Sequence, residues 1–194
     1  MSRILPGASI LLLVVLLQGC ASAVVGGAAA GAGMAHDRRS VGTFVDDEII
    51  EIKAMEKIIS DKELFDQTHI NVTSYNNIIL LSGEAPTDAL RSKAFSLVSG
   101  IPKVRKVHNE LVLAAPSSLL TRSSDTWITT KVKTNLFNIK HLQGFDPTRI
   151  KVVSENGTVF LMGIVTRAEA DAAVEASRTV KGVQRVVKLF EYLN

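Results

Sequence analysis

Cysteine is nearly absent from this chain. Its 194 residues include one, Cys20, so no disulfide can form within the chain and any fold must be held by core burial. Aromatic residues are scarce at 5%, with a single tryptophan, Trp127, so one exposed indole would stand out. A net charge of +3 without any Lys/Arg run gives no footprint for nucleic acid. The four histidines, His36, His69, His108 and His141, lie far apart, and none falls in a spacing such as H-E-x-x-H. Each reads as a surface or loop residue. Gly26 to Gly33 follows no strand and is no phosphate loop. Ser123-Ser124-Asp125 reads as helix capping rather than nucleophilic chemistry, and Asp46-Asp47-Glu48 as a solvated helix start. The expectation is a protein that is not an enzyme, with no catalytic residue, no metal and no cofactor.

The N-terminus carries an address. Arg3 precedes an apolar run, Ile10 to Leu17, which is too short to span a bilayer. Leu17-Gln18-Gly19-Cys20 follows the pattern of a bacterial lipobox. Residues 1–19 are therefore expected to be a signal peptide, cut before Cys20, whose thiol and amine are then acylated. Two or three acyl chains give stable anchoring, and by resemblance to lipoprotein sorting Ala21, not being Asp, favours the outer membrane. Residues 20–45, rich in Ala and Gly, read as a flexible tether, with a small-residue helix as the alternative.

The remainder is one pattern written twice. Ile70, Val72, Ser74, Asn76, Leu81 and Gly83 recur as Ile150, Val152, Ser154, Asn156, Leu161 and Gly163, 80 residues on. Val98, Gly100, Val104 and Leu111 match Val180, Gly182, Val186 and Leu193 at an offset of 82, implying a two-residue insertion near the start of a helix. Each copy reads α-β-β-α-β. The helix of Asp46 to Glu63 has Ile50, Ala54 and Ile58 as its core stripe; that of Asp125 to Leu142 has Ile128, Val132, Leu136 and Ile139. Asn76-Asn77 and Asn156-Gly157 are hairpin turns. A second helix follows, from Pro86 to about Val98 and from Arg167 to Val180, closed by Gly100 and Gly182 as left-handed caps. Both helices should cover one face of a three-stranded mixed sheet. The other face must be wet or pack against something else, and packing between the two copies is the obvious candidate.

Val152 to Gly163 and Val180-Lys181-Gly182-Val183-Gln184-Arg185-Val186 resemble the strand-turn-strand and the helix exit of BON domains. In the first copy Asn77 stands where the turn glycine is expected, and Ile101-Pro102-Lys103-Val104 follows Gly100. The resemblance implies an α+β fold of two αββαβ BON domains, each a three-stranded mixed sheet covered on one face by two helices. The expected layout is a first domain at 46–113, a linker at 114–123 and a second domain at 124–194. A lipobox with two BON repeats further implies a non-enzymatic lipoprotein on the periplasmic face of the outer membrane. Such a protein binds anionic phospholipid, phosphatidylglycerol or cardiolipin, through its second domain, gathers at the division site and supports envelope integrity.

The residues themselves point to a surface. On an ideal helix with Ile128, Val132 and Leu136 inward, Trp127 and Phe137 face outward. Thr130 and Thr134 lie between them, with Lys131 and Lys133 alongside. Aromatic rings beside lysines suit a membrane interface. The alternative is that Trp127 packs against the other domain. The equivalent helix of the first copy carries Ile49 in place of Trp127 and a charge of −4 between Asp46 and Glu63, against +2 between Asp125 and Leu142. An anionic leaflet should repel one and attract the other. A periplasmic adaptor or chaperone that holds an envelope-assembly protein, with Trp127 as anchor, is the rival reading. A purely structural spacer is the third.

Overall fold

The computed structural model describes residues 37–193. The signal segment, Cys20 and most of the expected tether lie outside those residues. Each copy forms a hairpin to which a third strand adds in parallel after a helix. In the first, α1 (Val41–Ser60) and α2 (Lys62–Gln67) precede β1 (His69–Tyr75) and β2 (Ile78–Ala85), then α3 (Asp88–Ser99), β3 (Lys106–Asn109) and β4 (Val112–Leu113). Both β3 and β4 pair with β2 in one register, so they are one strand position interrupted at Glu110 and Leu111. The second copy has α4 (Leu119–Phe137), a 3-10 turn at Pro147–Arg149, β5 (Ile150–Glu155), β6 (Thr158–Val165), α5 (Arg167–Arg178) and β7 (Arg185–Tyr192).

Strand alternation sorts the core into three layers. On β2, Ile79 and Leu81 face the helices and join Ile50, Ala54, Ile58, Leu64, Leu90 and Ala94. On β6, Val159 and Leu161 do the same with Ile128, Val132, Leu136, Ala170 and Ala173. The opposite faces meet each other: Ile78 and Leu80 pack with Phe160 and Met162, and Tyr75 joins them. The two sheets thus stand back to back with helices on both outer sides, so the second face is packed rather than wet. Burial on both sides is what makes the first half of β2, Ile78 to Leu81, a continuous apolar run.

Four sequence expectations change. First, the copies differ by one residue, not two. Thr87 and Thr166 are the N-caps of α3 and α5, and Val107 and Val186 pair with the equivalent Ile79 and Val159. The offset from the second helix onward is therefore 79, and Pro86 is the added residue. Lys103, with φ 72°, takes the place of Gly182, φ 97°, whereas Gly100 has φ −83° and is no left-handed cap.

Second, α1 starts at Ser40, whose Oγ accepts from the Thr43 N–H at 3.0 Å, inside the expected tether. Likewise α4 starts at Ser118, inside the expected linker. Third, neither Asp47 nor Asp125 caps its helix. Each is buried and turned toward the following hairpin. Asp47 accepts from the backbone N–H groups of Asn76 and Asn77, at 2.8 and 2.7 Å, from Ser74 Oγ at 2.6 Å and from Arg39 at 2.7 Å. Asp125 accepts from the N–H groups of Asn156 and Gly157, at 2.9 and 3.0 Å. Asn76, Asn77 and Asn156 all have positive φ, so both turns present consecutive N–H groups to one carboxylate.

Fourth, Arg38 and Arg39, inside the expected flexible tether, are docked on the folded domains. Arg38 donates to Glu169 at 2.6 and 2.9 Å and to the Ile164 carbonyl, in the second copy. Arg39 lies over the Tyr75 ring, 4.0 Å from its centre, and bonds Asp37 and Asp47 in the first. Two neighbouring arginines thereby tie α1 to both domains.

Candidate functional site

Core packing fixes the roll of α4. Ile128, Val132 and Leu136 are at most 2% exposed, so the opposite side must face out. Trp127 is 47% exposed and Phe137 55%. The indole is not taken up by the other domain. Lys131 sits one turn on from Trp127 with its Nζ 5.6 Å from the ring centre, a contact worth about 0.5–1 kcal/mol at an exposed site. Thr130, Lys133 and Thr134 are exposed as well.

Two further residues belong to this face. Leu119 and Leu120, 78% and 82% exposed, lie on the first turn of α4, in the stretch read as linker. At about 100° per residue they align with Phe137 and Trp127 respectively. The early helix start at Ser118 was the missing signal: a serine three residues before Thr121, whose N–H it caps at 3.3 Å.

The hydroxyls on the face are satisfied by the helix itself. Ser123, Thr126, Thr130 and Thr134 each donate to the carbonyl four residues back, at 2.9 to 3.1 Å. Their donors need no water, which lowers the cost of taking this face out of bulk solvent.

The predicted site residues divide between two flanks. Thr130 and Lys133 line a groove of about 560 Å³ between α4, β5 and the start of β1, with Arg122, Thr129 and Asn71. Trp127, Lys131 and Thr134 do not line it. Lys133 and Phe137 also bound a smaller pocket of about 220 Å³ with Leu136 and Pro147.

The equivalent side of α1 is also apolar and exposed: Val41, Val45, Ile49, Ile52 and Ile59 range from 43% to 66%. Charge is what separates the two. Within its observed ends α1 carries Asp46, Asp47, Glu48, Glu51 and Glu56 against Lys53 and Lys57. Helix α4 carries Asp125 against Arg122, Lys131 and Lys133.

Two histidines depart from the expected surface or loop role: His108 lies partly buried on β3, and His69 stands at the joint between the domains. His69, the first residue of β1, pairs across the hairpin with Glu84 and approaches Glu155 of the second domain. Among the described residues no helix is long and apolar enough to cross a membrane.

Comparison with known proteins agrees with this architecture. The BON domain profile matches residues 46–115 and again 124–194. The chain is 38% identical over 180 residues to the outer membrane lipoprotein DolP of Haemophilus influenzae, covering 93% of this chain and 92% of that one. It is 38% identical over 157 residues to the 21 kDa hemolysin of Actinobacillus pleuropneumoniae, covering 81% and 79%. It is 28% identical over 161 residues to the osmotically-inducible protein Y of Escherichia coli, covering 81% and 78%. With two BON domains back to back and near full-length similarity to such a protein, the chain belongs to the BON-domain family of outer-membrane lipoproteins.

Proposed function

We infer that the protein binds anionic phospholipid, phosphatidylglycerol or cardiolipin, through the outward face of α4, and that it does so without catalysis. It gathers at the division site and maintains outer-membrane integrity from the periplasmic face. One observation carries this reading: Trp127 and Phe137 stand exposed on the side of α4 opposite its core stripe, with Lys131 and Lys133 flanking them. The rings and Leu119 and Leu120 would enter the headgroup boundary while the ammonium groups meet phosphate. Each basic side chain near an anionic surface adds about 1 kcal/mol, and the acidic α1 would gain nothing there.

The test is an NMR titration of the protein with phosphatidylglycerol micelles, comparing wild type with Trp127→Ala/Lys131→Glu. Shift changes centred on α4 that disappear in the variant support the reading; unchanged binding overturns it. Phosphatidylcholine and raised salt separate it from the adaptor reading. Lysine-led lipid binding fades in both, whereas a protein anchored on Trp127 responds to neither. Imaging an acylated Trp127→Ala protein tests targeting: midcell enrichment should be lost while outer-membrane fractionation is kept.

A further inference from the structure

The joint between the two domains holds a second cluster, outside the α4 face. His69 and Glu84 come from the first sheet and Glu155 from the second. One ligand atom from each lies within 4.8 Å of the other two. His69 Nδ1 is buried, has no hydrogen-bond partner and stands 3.5 Å from Glu84 Oε2. Glu84 is 1% exposed and Glu155 5%.

Both carboxylates are oriented by amides. Asn71 Nδ2 donates to Glu155 at 2.7 Å, and Asn156 Nδ2 and the Ser117 N–H donate to Glu84. Three buried carboxylates, Glu84, Glu155 and Asp125, share one corner with the Arg122 guanidinium. Among these buried charges the carboxylates outnumber the guanidinium, an imbalance that a proton or a cation relieves. His69, Asn71, Glu155 and Asp125 also line the groove of about 560 Å³, which gives an ion an approach and room for water ligands.

We propose that His69, Glu84 and Glu155 form a divalent-metal site that clasps the two BON domains, with Zn²⁺ as its preferred ion. One imidazole nitrogen with two carboxylates suits zinc, which accepts nitrogen and oxygen ligands in a four-coordinate shell. It suits Mg²⁺ poorly, because Mg²⁺ asks for near-octahedral oxygen coordination. The amides of Asn71 and Asn156 are the outer partners that hold ligating carboxylates in place. The site runs against the expectation of a metal-free chain. That expectation rested on sequence spacing, whereas these ligands meet across 86 residues.

The experiment uses the full mature chain in detergent, stripped with EDTA and titrated calorimetrically with ZnCl₂, MnCl₂ and MgCl₂. One zinc per chain is expected, with Mg²⁺ at least tenfold weaker and a higher Tm when zinc is present. His69→Ala and Glu155→Gln should each weaken zinc at least tenfold, and His141→Ala, exposed in a loop, should not. A zinc K-edge absorption spectrum of the wild type, which needs no variant, should show one imidazole and oxygen ligands only. Absence of one-to-one zinc binding, full affinity in a folded His69→Ala protein, or a first shell lacking imidazole would each overturn the proposal. The first outcome would assign the charge balance to a proton.

Discussion

Removing the Asp125 carboxylate tests the hairpin clamp. In Asp125→Ala the N–H groups of Asn156 and Gly157 lose their acceptor, and Gly157 is buried. Hydrogen bonds to a charged group contribute about 1.5–3 kcal/mol each, so two amount to about 3–6 kcal/mol, less whatever water recovers at the partly exposed Asn156. Asp47→Ala should cost more. Its carboxylate holds two turn N–H groups, the Ser74 hydroxyl and Arg39, whose guanidinium would be left 8% exposed with only Asp37 as a charged partner. The same argument orders the amides. Asp125→Asn keeps one acceptor oxygen and turns an NH₂ group toward the other N–H, so it should fall between wild type and Ala. Urea unfolding followed by circular dichroism gives each ΔΔG from the midpoint at constant m. If Asp125→Ala cost under 0.5 kcal/mol, or if Asp47→Ala were the milder of the two, the carboxylates would be bystanders and the clamp would be wrong.

Three further outcomes follow from other contacts. Gly83→Ala should destabilise by at least about 3 kcal/mol, since its Cβ would lie 2.0 Å from the His69 carbonyl oxygen at φ +115°; Gly100→Ala, with open space and φ −83°, should be neutral or slightly stabilising by the same unfolding assay. Lys131→Glu/Lys133→Glu should abolish most sedimentation with phosphatidylglycerol vesicles while leaving Tm within about 2 °C; full retention would remove the lysines from the binding account. Glu169 is opposed by its own burial but held below the ordinary carboxylate range by the Arg38 hydrogen bonds and charge and the Thr166 N–H. Its stabilisation is therefore full above the unfolded value near 4.5 and disappears as pH falls through the lower folded value. Arg38→Ala should cost about 2 kcal/mol at pH 7 and progressively less toward pH 2.5, measured as the gap between urea midpoints; a gap independent of pH would refute the coupling.

Much of the fold was legible because its signals are local. Asn156-Gly157 marks a hairpin within four residues, and Ile128, Val132 and Leu136 set the inward side of α4, so Trp127 and Phe137 could be placed outside before any coordinates. What sequence concealed was long-range. Asp125 reads as a capping residue because its true partners stand 31 and 32 positions away. Arg38 reads as part of a tether because Glu169 is 131 positions distant. The match of Val98 to Val180 was chance identity: Val180 occupies the place of Ile101, both buried just after the helix end, while the place of Val98 is taken by Ser177. Leu119 and Leu120 were missed because Pro116 and Ser117 look like the middle of a joint, although a helix starts two residues later.

The back-to-back sheets have a geometrical consequence. Because α1 and α4 occupy opposite outer layers, a flat bilayer can touch only one of them at a time. If the basic layer lies on lipid, as proposed, the acidic layer and its row of Val and Ile side chains face away from the membrane. The molecule would then be a two-sided adhesive label, gripping the membrane with one side and showing the other to whatever passes.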